Sequence, residues 1–517
     1  MREEDETEGI IPNSQMARPG GIMDLMNDEH LTIAQVAPLI QKRKISPVEL
    51  TDALLARIQR FQPALNAFIT ITGDLAREQA RKAEKEIVKG EYRGALHGIP
   101  ISLKDLFYTA GIRTTAGSKI LRNFVPTENA AVVDRLLSAG AVLLGKTNLH
   151  EFAYGCTNIN PHYGPVRNPW DPSRVPGGSS GGSAVSVCAG LSLASLGTDT
   201  GGSIRIPAAA CGVVGLKPSY GLVPLHGVIP LAFSLDHAGP ICRCVEDAAI
   251  LLGVIAGYDP RDHSSLQAEV RVSLRNREKG IRGLRVGVPK QYFYDRLQND
   301  VRRALLAAHR VFEKLGAQVR PVDLKDMNET ASLAGEITVA EATSYHWDWL
   351  QKRPGDYGPD VRTRMKQGEK QLTLTYLQAQ KKRQAYADTF RKALETVDLL
   401  AVPTLPVVAP PIDAEEVRMG RFTENVRTAL LRFTRPGNLT GLPAISIPCG
   451  FSSENLPIGL QLIGRFLEEE TVLQAAHAYE QATAWHTLFP SEQNSFQAAL
   501  PAEPPKAVRS PGRRVPL

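Results

Sequence analysis

The chain has 517 residues, 43% hydrophobic and 22% charged, a balance that supports a large buried core and excludes a disordered tail or a peptide module. Sixty Lys and Arg oppose 54 Asp and Glu, and no basic tract is dense enough to follow a phosphate backbone, so direct nucleic-acid binding is not expected. Six cysteines are too few for a disulfide scaffold, and Cys242 and Cys244 lack the second ligand pair of a structural zinc site. They read as core thiols in a reducing compartment.

In chain order, the acidic start MREEDETEGI lacks the basic and apolar blocks of a signal peptide, and no apolar stretch of about 18 residues follows anywhere. A cytoplasmic protein without a transmembrane segment is expected, which leaves the sequons at Asn328 and Asn438 with little meaning. Residues 1–28 read as a flexible extension, and 29–74 as a helical segment packed on the core. A charged helix over 75–90 precedes LHGIPISLKDLF, whose β-branched residues predict a short strand ending near Lys104. A helix over 129–139, a strand AVLLG and a Gly/Asn/Pro-rich loop over 155–182 come next, then a helix over 183–195. Further on, strands are expected at 284–290, from 317, at DLLAVPT, and at the neighbouring ISIPCG and IGLQLIG. Helices are expected over 301–316, through most of 331–398, and over 470–486; residues 491–517 read as a disordered tail. This alternation indicates an α/β fold.

Two motif matches fail on context. GAVLLGKT at 140–147 fits a phosphate-binding loop by letter, but AVLL is itself the strand, which leaves Lys146 as an ordinary strand-end lysine. GGSSG at 177–181 fits a nucleophile elbow but lacks the apolar strand that must precede it.

Chemistry concentrates in three places: Lys104, the serine pair of PGGSSGGS, and Ser203 within DTGGSIR. A serine needs a base near neutral pH, and a lysine stripped of water can serve as one. Glycines beside Ser203 allow backbone N–H groups to converge on an oxyanion. A solvent-exposed lysine and glycine-rich turns that merely contain serines fit the spacing equally well.

The segment GGSSGGSAVSVCAGLSLASLGTDTGGSIRIPAAACGVVGLKPSYG, with HGIPISLKD upstream and SLDHAGP downstream, closely resembles the signature of the amidase signature family of Ser-cisSer-Lys hydrolases. The resemblance spans roughly residues 30–490, with 75–490 as the catalytic domain. It implies a large mixed β-sheet covered by helices on both faces. It implies Ser203 as nucleophile, Ser179 as the proton bridge after a cis bond from Gly178, and Lys104 as general base. Ser180 competes for the bridging place, and only the resemblance favours Ser179. The oxyanion would meet N–H groups of Thr200, Gly201, Gly202 and Ser203, with Ser180, Asp199 and Arg205 in support and no metal or cofactor required. Tyr154, Cys156 and Asn158 are candidate substrate contacts at the entrance; a Cys156–His162 nucleophile would leave the Ser/Lys framework unexplained. Trp347, Trp349 and Tyr357 fit an aromatic pocket or core packing.

The implied reaction is hydrolysis of a linear carboxylic amide through an acyl-enzyme, with a small-molecule substrate and room for a homodimer. The family also contains carbamate, urea-type and aryl ester or amide hydrolases, and the glutamine-hydrolysing component of Asp/Glu-tRNA amidotransferases. WDWLQKRPGDYGPDVRTRM departs from the pattern of that component, which favours a stand-alone amidase.

Overall fold

The computed structural model describes residues 31–268, 280–325 and 327–490. The expected extension at 1–28 and tail at 491–517 lie outside the described residues. The strands are β1 (Phe68–Ile71), β2 (Pro100–Lys104), β3 (Val142–Thr147), β4 (Ala194–Thr198), β5 (Val214–Lys217), β6 (Ala238–Cys242), β7 (Arg285–Pro289), β8 (Gln318–Val322), β9 (Leu399–Pro403), β10 (Glu416–Met419), β11 (Phe422–Asn425), β12 (Ala444–Phe451) and β13 (Pro457–Gly464). Eleven of them form one sheet in the order β1-β3-β2-β4-β6-β5-β12-β13-β9-β7-β8, and β10 and β11 pair separately. Neighbours are parallel from β3 through β2 to β4 and from β9 through β7 to β8, and antiparallel elsewhere. The expected large mixed sheet is what the chain builds.

Strand alternation places the site. In β2, Ile101 and Leu103 pack into a core with residues of helices Ile33–Gln41 and Val245–Ile255. Ser102 and Lys104 point to the opposite face, where Ser102 Oγ lies 3.0 Å from Ser186 Oγ on helix Gly181–Cys188. That helix contributes Ala184, Val185, Val187 and Cys188 to a second core, so helices cover both faces. The N-terminal segment is tied down by Asp247, whose carboxylate accepts the N–H groups of Ile33 and Ala34, both at 2.9 Å. Asp247 thereby satisfies donors that a helix start leaves open.

The structure departs from the sequence reading in three places. Residues 183–195 are not one helix: it stops at Cys188, Gly190 turns with φ +63°, and β4 starts at Ala194. The helical stretch 29–74 also supplies β1, because Asn66 ends the preceding helix at φ +52° and FITI then pairs with β3 as an edge strand. The closing helix runs Glu469–Gln481, shorter than expected.

Gly182 sits where this packing is tightest: a Cβ there would lie 2.4 Å from the Asn148 carbonyl oxygen and 2.5 Å from that of Ala67. Both are backbone atoms that cannot swing away. Gly182→Ala is therefore expected to destabilise the protein by about 1 to 3 kcal/mol, outweighing the helix-propensity gain, as read by the denaturant midpoint.

Candidate active site

Lys104 ends β2 with no exposed surface. Its Nζ lies 2.8 Å from Ser179 Oγ and 2.7 Å from Thr198 Oγ1, the last residue of β4. Burial drives the ammonium toward neutrality, and the charges of Asp199 and Asp236 partly oppose this, leaving its pKa at about 7. Ser179 follows a cis peptide bond from Gly178. The neighbouring Ser180 donates its N–H to the Ser203 carbonyl at 3.2 Å, tying the two serine segments together. Its hydroxyl donates to the Thr198 carbonyl at 3.1 Å, so between the two competing serines only Ser179 contacts Lys104.

Asp199 organises the loop that carries Ser203. Its Oδ1 accepts from Gly202 N–H (2.8 Å), Arg205 Nη2 (2.9 Å) and Asn438 Nδ2 (2.8 Å). Its Oδ2 accepts from Ile204 N–H (3.1 Å) and Arg205 Nε (3.0 Å). Burial works against this charge, but the Arg205 guanidinium and the Asn438 amide hold the carboxyl well below the usual range. Arg205 is equally buried and spends its remaining donors on Gln461 (2.6 Å) and Asn438 (2.7 Å).

This network corrects one expectation. The Gly202 N–H is committed to Asp199 and is not free for the expected oxyanion hole. Gly202 is required for another reason: its φ is +130°, and a Cβ would lie 2.2 Å from Thr434 Oγ1. Thr434 in turn donates to the Gly201 carbonyl at 2.6 Å. The N–H groups of Thr200, Gly201 and Ser203 make no hydrogen bond among the described residues. The Thr200 hydroxyl donates to Asp236 at 2.5 Å, and burial lifts the Asp236 carboxyl to about 6 against that bond and two backbone N–H donors.

Ser203 opens onto a cavity whose wall includes Tyr154, Thr200, Gly201, Leu431, Arg427 and Arg435. A neighbouring cavity of about 400 Å³ shares Ala153, Thr200 and Leu231 with it, and adds Leu106, Val228, Ile229 and Asp236. Of the expected entrance residues, Tyr154 lines the first cavity. Asn158 and Cys156 are instead buried beneath it: Asn158 Oδ1 accepts the Gly181 N–H at 2.9 Å, and Cys156 packs against Ile206 and Leu430. Burial raises the Cys156 thiol pKa, and His162 is turned to Glu151 at 2.9 Å. Tyr357 is core, its hydroxyl 3.0 Å from His346 Nδ1, while Trp349 stacks near Phe152 and Trp347 is half exposed.

Lys146 is more than an ordinary strand-end lysine. It is buried on β3, donates to the Phe107 carbonyl (2.6 Å) and Thr114 (2.7 Å), and lies 3.5 Å from Asp105. Burial lowers it to about 8, with Asp105 opposing. All six cysteines are free and buried. Among the described residues, no cluster of His, Cys, Asp or Glu suits a metal ion, and no helix is long and apolar enough to cross a membrane.

Sequence reasoning missed Thr198, Thr434, Asn438 and Gln461 as parts of the site. Asp236 lay within SLDHAGP, so a signal for it existed. Asn438 and Gln461 reach Asp199 and Arg205 from more than 200 residues away, and nothing local marks them.

The large mixed sheet, with the buried Lys104 against Ser179 at the ends of its parallel strands, is that of an amide hydrolase, and the chain belongs to the amidase signature family: the Amidase family model matches residues 49–473. The A component of the glutamyl-tRNA(Gln) amidotransferase of Nitrosomonas eutropha is 43% identical over 90% of this chain and 99% of its own. A structure solved in work on a vestigial protein complex and the origins of an s-triazine catabolic enzyme matches with TM-score 0.84 and 36% identity, over 88% of this chain and 98% of its own. The corresponding component of the glutamyl-tRNA(Gln) amidotransferase of Thermotoga maritima matches with TM-score 0.73 and 36% identity, over 88% and 95%.

The Asp199–Arg205 pair yields a stability prediction. Arg205→Ala strands a buried carboxylate and two amide partners, with an expected cost of about 3 to 5 kcal/mol in urea unfolding.

Proposed function

We propose that this chain hydrolyses a linear carboxylic amide through a Ser203 acyl-enzyme. The observation that carries the reading is Lys104, fully buried with its Nζ 2.8 Å from Ser179 Oγ. Neutral Lys104 accepts the Ser179 proton, Ser179 accepts that of Ser203, and the Ser203 oxygen attacks the amide carbonyl. The tetrahedral oxyanion is met by the uncommitted N–H groups of Thr200, Gly201 and Ser203. The relay then returns a proton to the departing nitrogen, so that amine or ammonia leaves. Water repeats the sequence on the acyl-enzyme and releases the acid.

Two readings of the substrate compete. The curated relatives, at 41 to 43% identity, favour glutamine hydrolysis by an amidotransferase component that passes ammonia to partner chains. A stand-alone amidase is favoured by the departure of residues 347–365 from the pattern of that component. Incubation with amides, anilides, carbamates, esters and glutamine, with mass spectrometry of acid and amine, separates them. Turnover of non-glutamine amides supports the stand-alone amidase, and glutamine turnover dependent on added partner chains supports the other reading. In either case Ser203→Ala should lower turnover by about 10³-fold or more, and unchanged turnover overturns the nucleophile assignment.

The buried lysine also sets a pH dependence. Only its neutral form accepts a proton, so kcat/KM should rise as pH increases through about 7 and then level off. A profile flat from pH 6 to 8 contradicts a Lys104 base.

A further inference from the structure

Arg427 lies on helix Val426–Leu431 and Arg435 opens helix Arg435–Thr440. Both line the cavity onto which Ser203 opens. A third arginine, Arg364, is directed at the same place: the guanidinium carbons of Arg364 and Arg427 lie 5.1 and 5.6 Å from the centre of the Tyr154 ring. Arg364 is paired with Asp360. Arg427 and Arg435 form no ion pair among the described residues, and Arg435 donates only to the Ala331 carbonyl, at 3.3 Å.

Arg427 and Arg435 are half-buried, whereas the fully buried guanidinium of Arg205 is matched by Asp199, Gln461 and Asn438. Two like charges sharing a cavity without a counter-ion are costly unless an anion joins them. Burial lowers the pKa of both, and that of Arg435, further repelled by Arg427, falls to about 10. Arginine side chains are not deprotonated in folded proteins at neutral pH. Among the described residues no Asp or Glu lines this cavity, so no carboxylate on its wall would pair with a substrate ammonium. A planar guanidinium presents paired donors that match a carboxylate.

We propose that Arg427 and Arg435 form a carboxylate subsite beside Ser203, making the substrate an anionic amide, a dicarboxylic acid monoamide, rather than a neutral amide or a zwitterionic amino acid. This rests on Ser203 as the nucleophile. The carboxylate sits against the arginines, the scissile carbonyl at Ser203, and the adjoining cavity takes the leaving side.

The test compares kcat/KM for malonamate, succinamate and glutaramate with that for propionamide, butyramide and pentanamide, in which a methyl replaces the carboxylate, and with glutamine. At least one monoamide should be preferred by 10-fold or more over its neutral counterpart and over glutamine. Arg427→Gln and Arg435→Gln should each cut that preference at least 10-fold, mainly through KM, whereas exposed Arg391→Gln should leave it intact. Equal use of charged and neutral amides, a preference for glutamine, or a preference surviving both substitutions overturns the proposal. Calorimetry with malonate, succinate and glutarate on the full chain reads the subsite without turnover: binding weakened by Arg435→Gln supports it, and no binding of any of the three overturns it. A carboxylate preference that persists alongside full activity in Ser203→Ala refutes the nucleophile and leaves the subsite standing.

Discussion

Withdrawing Lys104 from water penalises its charged form, and the carboxylates of Asp199 and Asp236 set how far that penalty goes. Without burial the amine would stay protonated at neutral pH and have no lone pair to offer. Without the two carboxylates its proton affinity would fall further. The sheet supplies the burial: β2 and β4 run parallel as neighbours, so the ends of both strands bring Lys104 beside Thr198. The Gly178–Ser179 segment closes over the remaining side.

Asp199 links Lys104 to the turn that carries Ser203. Electrostatically it is one of the two charges that keep the Lys104 pKa from falling further. Structurally it accepts N–H groups from Gly202 and Ile204 on either side of Ser203, which fixes that turn. One carboxylate thus couples the position of Ser203 to the proton affinity of Lys104. Arg205 and Asn438 stabilise the charge by hydrogen bonding, and β13, through Gln461 bonded to Arg205, anchors the loop to the far half of the sheet.

What was legible in the sequence follows from how local each signal is. Lys104, Ser179 and Ser203 sit in motifs whose glycines and apolar flanks are readable at close range. The paired strands β12 and β13 were visible as β-branched apolar runs. β4 was hidden because SLASLG continues the apolar character of the helix before it, and periodicity cannot divide such a run. Gly202 advertised an open N–H, but a glycine signals only backbone freedom; where its N–H points depends on Asp199. Asn158 and Cys156 occupy a loop whose composition suggests exposure, yet depth is set by helix Gly181–Cys188, which needs Asn158 as a partner. Arg427 and Arg435 belong to no motif, and only the folded chain brings them to Ser203.

The proposed chemistry requires Lys104 to be a neutral base in the folded protein, and the most direct measurement is its own titration. NMR of the chain labelled with ¹³Cε-lysine, assigned by the signal lost in Lys104→Met, should give a midpoint near 7 for that residue. A midpoint near 10, as for a lysine in water, would contradict the account.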